Sequence, residues 1–375
     1  MKIGVLTSSR ADYGIYLPLL KKLEFDQRFQ LEVIAFGMHL QKSQGNTLNQ
    51  ITKEGFEVIH KVGEMPENDR VIDVSKGYGN LVVSFAEFWS GNKYDVVLAL
   101  GDRWEMSAAV QASIPFEVKI GHIHGGETTL GAIDNIYRHQ ITLASTYHFT
   151  AAKVFSERVI SILGSNKNVH TVGSISLENI DNLSLPSWDS IKESFEIPFD
   201  DFILVTFHPE SVGASMNKHY ASVISEVIKT LVKEYNILVT MANSDAMGSL
   251  FNDCFQQLQE EYPQKLKLVS ALGKFNYFKA MEKCDFMLGN TSSGIIEAAS
   301  FGKYVINVGN RQKGRLRSNN VEDVRFKKEE ILKAISNITV RGSFRGTNMY
   351  NTQGTTEAII KIISRNERLS RTFNQ

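Results

Sequence analysis

Residues 96–139 read VVLALGDRWEMSAAVQASIPFEVKIGHIHGGETTLGAIDNIYRH. Val96–Leu100 is an apolar run of strand length, closed by Gly101-Asp102-Arg103. A helix is expected over Trp104–Ser113, and Pro115 breaks the chain before a second strand, Val118–Ile123. Another helix is expected over Tyr137–Ala144. Strand, helix, strand, helix in this order indicates a parallel sheet with right-handed crossovers. In such sheets ligands bind beyond the carboxyl ends of the strands. Asp102, His122, His124, Glu127 and Asp134 all fall at or just after those ends. That is too many titratable groups for a turn that only connects elements, and Gly121–His139 is read as the chemical centre.

The same alternation extends in both directions. Lys2–Thr7 reads as a buried strand running into Ser8–Gly14, followed by a helix with Tyr16, Leu19, Leu20 and Leu23 at helical spacing. Leu31–Phe36 is a second strand with Gly37–Leu40 as its exit, residues 45–63 carry no clear motif, and Lys76–Phe88 is another helix. Strands Tyr147–Thr150 and Val169–Gly173 follow. Ser174–Trp188 is polar and contains Pro186, which places the domain boundary there. Alternation then restarts. Strands are expected at Phe202–Phe207, Ile237–Met241, Leu266–Leu272, Asp285–Leu288 and Tyr304–Val308, with helices between them and at Lys327–Ser336 and Thr355–Arg365. The fold class is therefore α/β, two Rossmann-like doubly wound domains with a cleft between them. The expected domains are residues 1–174 and 175–354.

Bulk properties narrow the function. A chain of 375 residues makes about two domains. Acidic and basic residues balance at 41 each, so no global charge points to nucleic acid or an anionic membrane. Two cysteines, Cys254 and Cys284, argue for a reducing compartment and against a disulfide framework or zinc site. The start, MKIGVLTSSR, suits a first strand better than a signal peptide. No apolar run reaches the ~18 residues of a membrane span. A cytoplasmic protein is expected, without nucleic-acid or membrane partners and as a homo-oligomer, dimer or tetramer.

Individual features carry different chemistry. Gly289–Gly294, GNTSSG, follows a strand and opens a helix. It leaves backbone N–H groups and small hydroxyls at a helix N-terminus, which suits either a phosphate or an ordinary Ser/Thr cap. Glu297, one turn on, is a poor phosphate partner but suits ribose hydroxyls. Arg311 follows the next strand, where a guanidinium can grip a diphosphate. His208 ends a strand beside Pro209, and Arg10 ends the first strand. His122 and His124 stand two apart and would share one side of a strand. With Asp102 they would suit a metal, but no third ligand stands at a characteristic spacing, and the plainer reading makes one histidine structural. No metal and no cofactor are expected.

Taken together the motifs resemble the hydrolysing UDP-N-acetylglucosamine 2-epimerases of sialic-acid biosynthesis, and more widely the UDP-sugar 2-epimerases. The matching segments are SRADYG (Ser9–Gly14), GMH (Gly37–His39), GNT (Gly45–Thr47), GDR (Gly101–Arg103), HIHGGE (His122–Glu127) and D-x-x-x-R-H (Asp134–His139). They continue with FHPE (Phe207–Glu210), GNTSSGIIE (Gly289–Glu297) and GNRQKGR (Gly309–Arg315). The resemblance implies a GT-B-like pair of domains, with a C-terminal helix at about 355–375 packing back on the first. It implies a UDP grip from Arg10, His208, Asn290, Thr291, Ser292, Gly294 and Arg311, a ribose ligand in Glu297, and uracil contacts at Leu272 and Tyr277. Asp102 and Asp134 match catalytic acids of the family, and Arg138 falls in the same motif. Many members carry Glu where this chain has His124, and the loop from Glu127 to Asp134 is one residue longer than in that branch.

The implied chemistry is elimination. A C2 proton with no neighbouring carbonyl is not acidic, so a base removes it as UDP leaves C1. The 2-acetamidoglycal then takes water at C1 and a proton on the other face of C2, giving N-acetylmannosamine and UDP. His124 is the expected proton-transfer group, with Glu127 the competing candidate. Three rivals stand beside it: the same reaction on a UDP-2,4-diacetamido-6-deoxyhexose, which motifs of the same family do not exclude; a retaining glycosyltransferase, against which HIHGGE and D-x-x-x-R-H argue; and a non-catalytic nucleotide-sugar sensor, against which the intact acid–base candidates argue.

Overall fold

The computed structural model describes every residue except 42–46, 64, 67–69, 129, 131–132, 211–213, 242–247, 271 and 373–375. Gly45 and Asn46 of the GNT motif, the strand exit at residues 242–245 and the last residues of the expected C-terminal helix lie outside the described residues. The chain divides into two compact units. One comprises Met1–Glu127, Asp134–Asn179 and Tyr350–Gln375, and the other Thr128–Ile133 and Ile180–Met349.

The first unit holds a seven-stranded sheet of β1 (Lys2–Thr7), β2 (Gln30–Phe36), β3 (Val58–Val62), β4 (Val96–Leu100), β5 (Ile120–Ile123), β6 (Tyr147–Thr150) and β7 (Val169–Thr171). Their order is β3-β2-β1-β4-β5-β6-β7, and every pairing is parallel. The connecting helices are α1 (Arg10–Phe25), α2 (Thr47–Lys53), α3 (Val71–Gly91), α4 (Trp104–Ser113), α5 (Asp134–Ala144) and α6 (Lys153–Leu163). Buried strands of Val, Ile, Leu and Ala are what a sheet covered on both faces requires. The helices cover it with single stripes, and α3 buries Gly77, Leu81, Phe85 and Trp89, every fourth residue.

In the second unit the elements are α7 (Trp188–Phe195), β8 (Ile203–Thr206), α8 (Asn217–Leu231), β9 (Ile237–Thr240), α9 (Gly248–Glu261), β10 (Leu266–Val269), α10 (Lys274–Lys283), β11 (Met287–Gly289), α11 (Ser292–Ile296), β12 (Val305–Val308), β13 (Val321–Val324) and α12 (Lys328–Thr339). The sheet order is β10-β9-β8-β11-β12-β13, again all parallel. One core cluster joins Phe207, Phe251, Phe255 and Ile306 to the apolar stripe of α8, and another joins Trp188, Phe202, Leu272 and Met281. Within this unit Leu130 donates its N–H to the Lys313 carbonyl at 2.8 Å.

The last helix, α13 (Thr355–Thr372), belongs to the first unit. Glu178, 3 % exposed, accepts the Thr356 N–H at 3.0 Å, and Lys22 of α1 bonds Glu178, Thr356 and Glu357. Five elements were not foreseen in the sequence: α2, β3, α6, α7 and β13. Among the described residues no helix is long and apolar enough to cross a membrane.

Candidate active site

Each sheet reverses its strand order once, between β1 and β4 and between β8 and β11. Such switch points leave a crevice beyond the carboxyl ends of the two strands. In the first sheet those ends are Ser8–Arg10 and Gly101–Arg103. In the second they are Phe207-His208 and Asn290-Thr291. The sequence motifs thus fall where topology opens a sheet.

At the first switch point Asp12 organises the loop. Its carboxylate accepts from the Ser8 and Ser9 backbone N–H groups at 2.8 and 2.9 Å, from Ser8 Oγ and from Thr7 Oγ1. Ser9 and Asp12 form a capping box, which starts α1 at Arg10 and leaves that side chain exposed. His39 of the GMH motif is buried against this loop, with Nε2 2.9 Å from Thr7 Oγ1. Sequence reading did not single out Asp12. The Ser-x-x-Asp spacing of a capping box was the signal available for it.

The two histidines part company. His122 is fully buried; its Nε2–H donates to the Gly101 carbonyl at 2.8 Å and Nδ1 lies 3.1 Å from Thr142 Oγ1. Burial pushes its pKa down to about 3, so it is neutral and structural. His124 does not share its side of the strand. β5 ends at Ile123, and His124 adopts a left-handed backbone with φ 65°, its N–H donating to the Phe149 carbonyl at 3.0 Å. The period-2 reading fails because the residue has left the sheet. Among the described residues no group of three His, Cys, Asp or Glu is arranged to hold a metal.

From His124 a chain of charged groups runs back to β4. His124 Nδ1 is 2.6 Å from Glu127 Oε1, Glu127 Oε2 is 3.7 Å from Arg138 Nη1, and Arg138 Nη2 pairs with Asp102. A carboxylate only accepts, so Nδ1 carries the proton and Nε2 is left as the basic nitrogen, 3.4 Å from Ser174 Oγ. Glu127 and Arg138 are each 2 % exposed. Burial works against the Arg138 charge, but Asp102 and Glu127 more than offset it, and Asp134 adds to them; the guanidinium is held above its ordinary range. The structure therefore brings Asp102, His124, Glu127, Asp134 and Arg138 into one electrostatic cluster.

At the second switch point Asn290 is the link. Its side chain accepts from the His208 N–H at 2.7 Å and donates to the His208 carbonyl at 2.8 Å, tying the end of β11 to the end of β8. Its carbonyl accepts from Arg311 Nη1 at 3.3 Å and Gln312 Nε2 at 2.8 Å. Glu210 takes the Asn310 and Arg311 N–H groups, and Asn217 bonds the Glu210 backbone in both directions at 3.0 Å. Glu210 and Asn217 thereby hold the arginine loop, a role no sequence motif disclosed. Gly289 is required by close approach: a methyl there would stand 1.9 Å from the Thr206 carbonyl oxygen.

The remaining expected groups sit around α11. Thr291 is its N-cap residue but makes no capping hydrogen bond with its side chain; Oγ1 instead lies 3.1 Å from Ser293 Oγ. The backbone N–H groups that open α11 are therefore not capped by the Thr291 side chain. Tyr277 OH is 3.0 Å from Ser293 Oγ, and burial pushes its pKa up to about 12. Leu272 is buried in the core, its carbonyl taken by Asn276 Nδ2 at 2.8 Å, and Glu297 is 7 % exposed at the end of α11.

Comparison with known proteins places this geometry. The family model described as UDP-N-acetylglucosamine 2-epimerase matches residues 21–364. A Legionella pneumophila protein named UDP-N,N'-diacetylbacillosamine 2-epimerase (hydrolyzing) is 32% identical over 96% of this chain and 95% of its own. A Campylobacter jejuni protein named GDP/UDP-N,N'-diacetylbacillosamine 2-epimerase (hydrolyzing) is 31% identical over 86% and 84%. The crystal structure of UDP-GlcNAc 2-epimerase from Neisseria meningitidis bound to UDP-GlcNAc shares the fold, with a TM-score of 0.80 over 97% of this chain and 100% of that one at 16% identity. With nearly the whole chain matched, from α1 to α13, the protein belongs to the UDP-N-acetylglucosamine 2-epimerase family.

Proposed function

We propose that this chain is a hydrolysing 2-epimerase of a UDP-2-acetamido sugar, and that the sequence from His124 through Glu127 and Arg138 to Asp102 is its acid–base centre. The carrying observation is the 2.6 Å contact between His124 Nδ1 and Glu127 Oε1, which turns the basic Nε2 away from the carboxylate. In the first step Nε2 takes the C2 proton. The C2–H electron pair becomes the C1=C2 bond, and the C1–O bond breaks with its electrons leaving on UDP. In the second step water adds its oxygen at C1, and a proton returns to the opposite face of C2. Glu127 orients the imidazole and offsets its charge after proton uptake. Asp102 and Asp134 are the carboxylates for the second step. One takes a proton from water as the water oxygen bonds C1, and that carboxyl group then delivers the proton to C2. The His124 imidazolium releases its own proton to solvent, and Arg138 pairs with Asp102.

Within the second unit the diphosphate is assigned to His208, Thr291, Ser292 and Arg311, with Asn290 and Gly294 shaping the backbone that receives it. Charge grows on the departing phosphate, and preorganised donors act most strongly there. Glu297 is assigned to the ribose, and Leu272 and Tyr277 to the uracil.

Two substrates fit this scheme. UDP-N-acetylglucosamine gives N-acetylmannosamine, and UDP-N,N'-diacetylbacillosamine gives the corresponding 2,4-diacetamido sugar. The names of the Legionella and Campylobacter relatives favour the second, which we rank at least level with the first. Turnover of both UDP-sugars side by side, without acceptor and followed by proton NMR, tests the proposal. Release of UDP with a free 2-epimer from either one supports it. A product still joined to UDP means a non-hydrolysing epimerase, and no turnover of either sugar sinks the reading.

A further inference from the structure

α6 carries one cation directed at the backbone of the HIHGGE turn. Arg158 Nη1 donates to the Gly126 carbonyl at 2.6 Å across 32 residues of chain. That carbonyl belongs to the peptide group whose nitrogen is Glu127, so fixing its direction fixes where the Glu127 side chain starts. The turn is laid directly on α6 as well. Gly126 has φ 76°, and a methyl there would stand 2.3 Å from the Phe155 carbonyl oxygen. Only Gly125 and Gly126 separate His124 from Glu127, and the left-handed backbone at His124 and Gly126 must be kept for the two side chains to meet at 2.6 Å. On the other side the His124 N–H is held by the Phe149 carbonyl on β6. The turn therefore has two anchors, β6 at its start and Arg158 at its end.

We infer that Arg158 is a positioning residue for the reaction: by gripping the Gly126 carbonyl it aims Glu127 at His124. The inference rests on the proposed role of His124 and Glu127 in proton transfer. A misplacement of about 1 Å in such a pair costs on the order of 100-fold in rate.

The test uses full-length Arg158→Ala and Arg158→Lys enzymes, with two readouts. One is steady-state kinetics. The other is the far-downfield proton resonance of the His124 Nδ1–H, assigned by its absence in His124→Gln. Arg158→Ala is expected to lower kcat about 10- to 100-fold with KM within about twofold, and to shift or erase the resonance. Arg158→Lys, keeping a cationic donor, restores much of both. Should Arg158→Ala fail to fold, Arg158→Gln gives the same comparison with a neutral donor. A native resonance in the Ala or Gln variant overturns the inference, whatever the rate. A displaced resonance with native kcat keeps the grip on Glu127 and overturns instead the proton-transfer role of the pair.

Discussion

Nδ1 of His124 and Oε1 of Glu127 stand 2.6 Å apart at the two ends of the Gly125-Gly126 turn. The left-handed backbone at His124 and Gly126 folds the chain back tightly enough for residues three apart to meet. Removing either partner removes the same unit. His124→Ala and Glu127→Gln are each expected to lower kcat by about 10²–10⁴, the usual cost of losing a general base. The double variant should be little worse than the worse single, because groups acting as one unit are not additive. UDP affinity, measured by calorimetry, should stay near native in all three. Full additivity of the two losses would separate the residues into independent roles.

The nucleotide prediction rests on Arg311 and the carboxylate behind it. Arg311→Ala should weaken UDP binding by about 1.5–3 kcal/mol through loss of a charge-assisted contact. Glu210→Gln should weaken it too, although Glu210 is not expected to touch UDP, because its Oε1 seats the Asn310 and Arg311 N–H groups. Glu297→Ala should weaken uridine as well as UDP, in keeping with a ribose contact. Native UDP affinity in Arg311→Ala would remove the diphosphate assignment.

Acid should unfold the first unit through its buried histidines. Burial holds His122 at about 3 and His148 at about 4, against about 6.5 in an unfolded chain. A lowered histidine pKa means that the unfolded state binds the proton first. Stability from these two groups is therefore whole above pH 6.5 and falls as pH drops toward their folded values, by about 2 kcal/mol each at pH 5. Denaturation midpoints at pH 8, 6.5 and 5 check this, and His122→Gln should flatten the loss. A midpoint unchanged down to pH 5 would contradict it.

Gly289→Ala tests the close approach at the second switch point. With Thr206 O 1.9 Å from the new methyl, β8 and β11 must separate, and overpacking of this kind costs about 1–3 kcal/mol. UDP affinity should fall with stability, since Asn290 follows directly. A variant with native urea midpoint and native UDP binding would show that the strands give way freely.

Much of this was legible in the chain because most of its strands are short, largely apolar and punctuated by Gly, Pro and polar exits. Trp104–Ser113 matches the expected helix at both ends, and Val96–Leu100 matches the expected strand. α6 was not foreseen, although Phe155 and Val159 recur at helical spacing and Gly164 ends the helix left-handed. β13, Val-Glu-Asp-Val, is too short and polar for period alone to mark it. The left-handed turn at His124 was hidden for a different reason. A non-glycine residue with positive φ leaves no mark in composition or spacing, so alternation was carried one residue too far. The roles of Glu210 and Arg158 were missed because each acts on backbone groups distant in sequence, and that of Asn217 because it acts through the backbone of Glu210.

Hydrogen at C2 of the product decides the chemistry most directly. The enzyme is run in deuterium oxide on UDP-N-acetylglucosamine and UDP-N,N'-diacetylbacillosamine, with no nicotinamide added, and the released sugar is read by proton NMR. Elimination and re-protonation predict UDP together with a free 2-epimer whose C2 carries deuterium. A released epimer that keeps its original C2 hydrogen would contradict the elimination route.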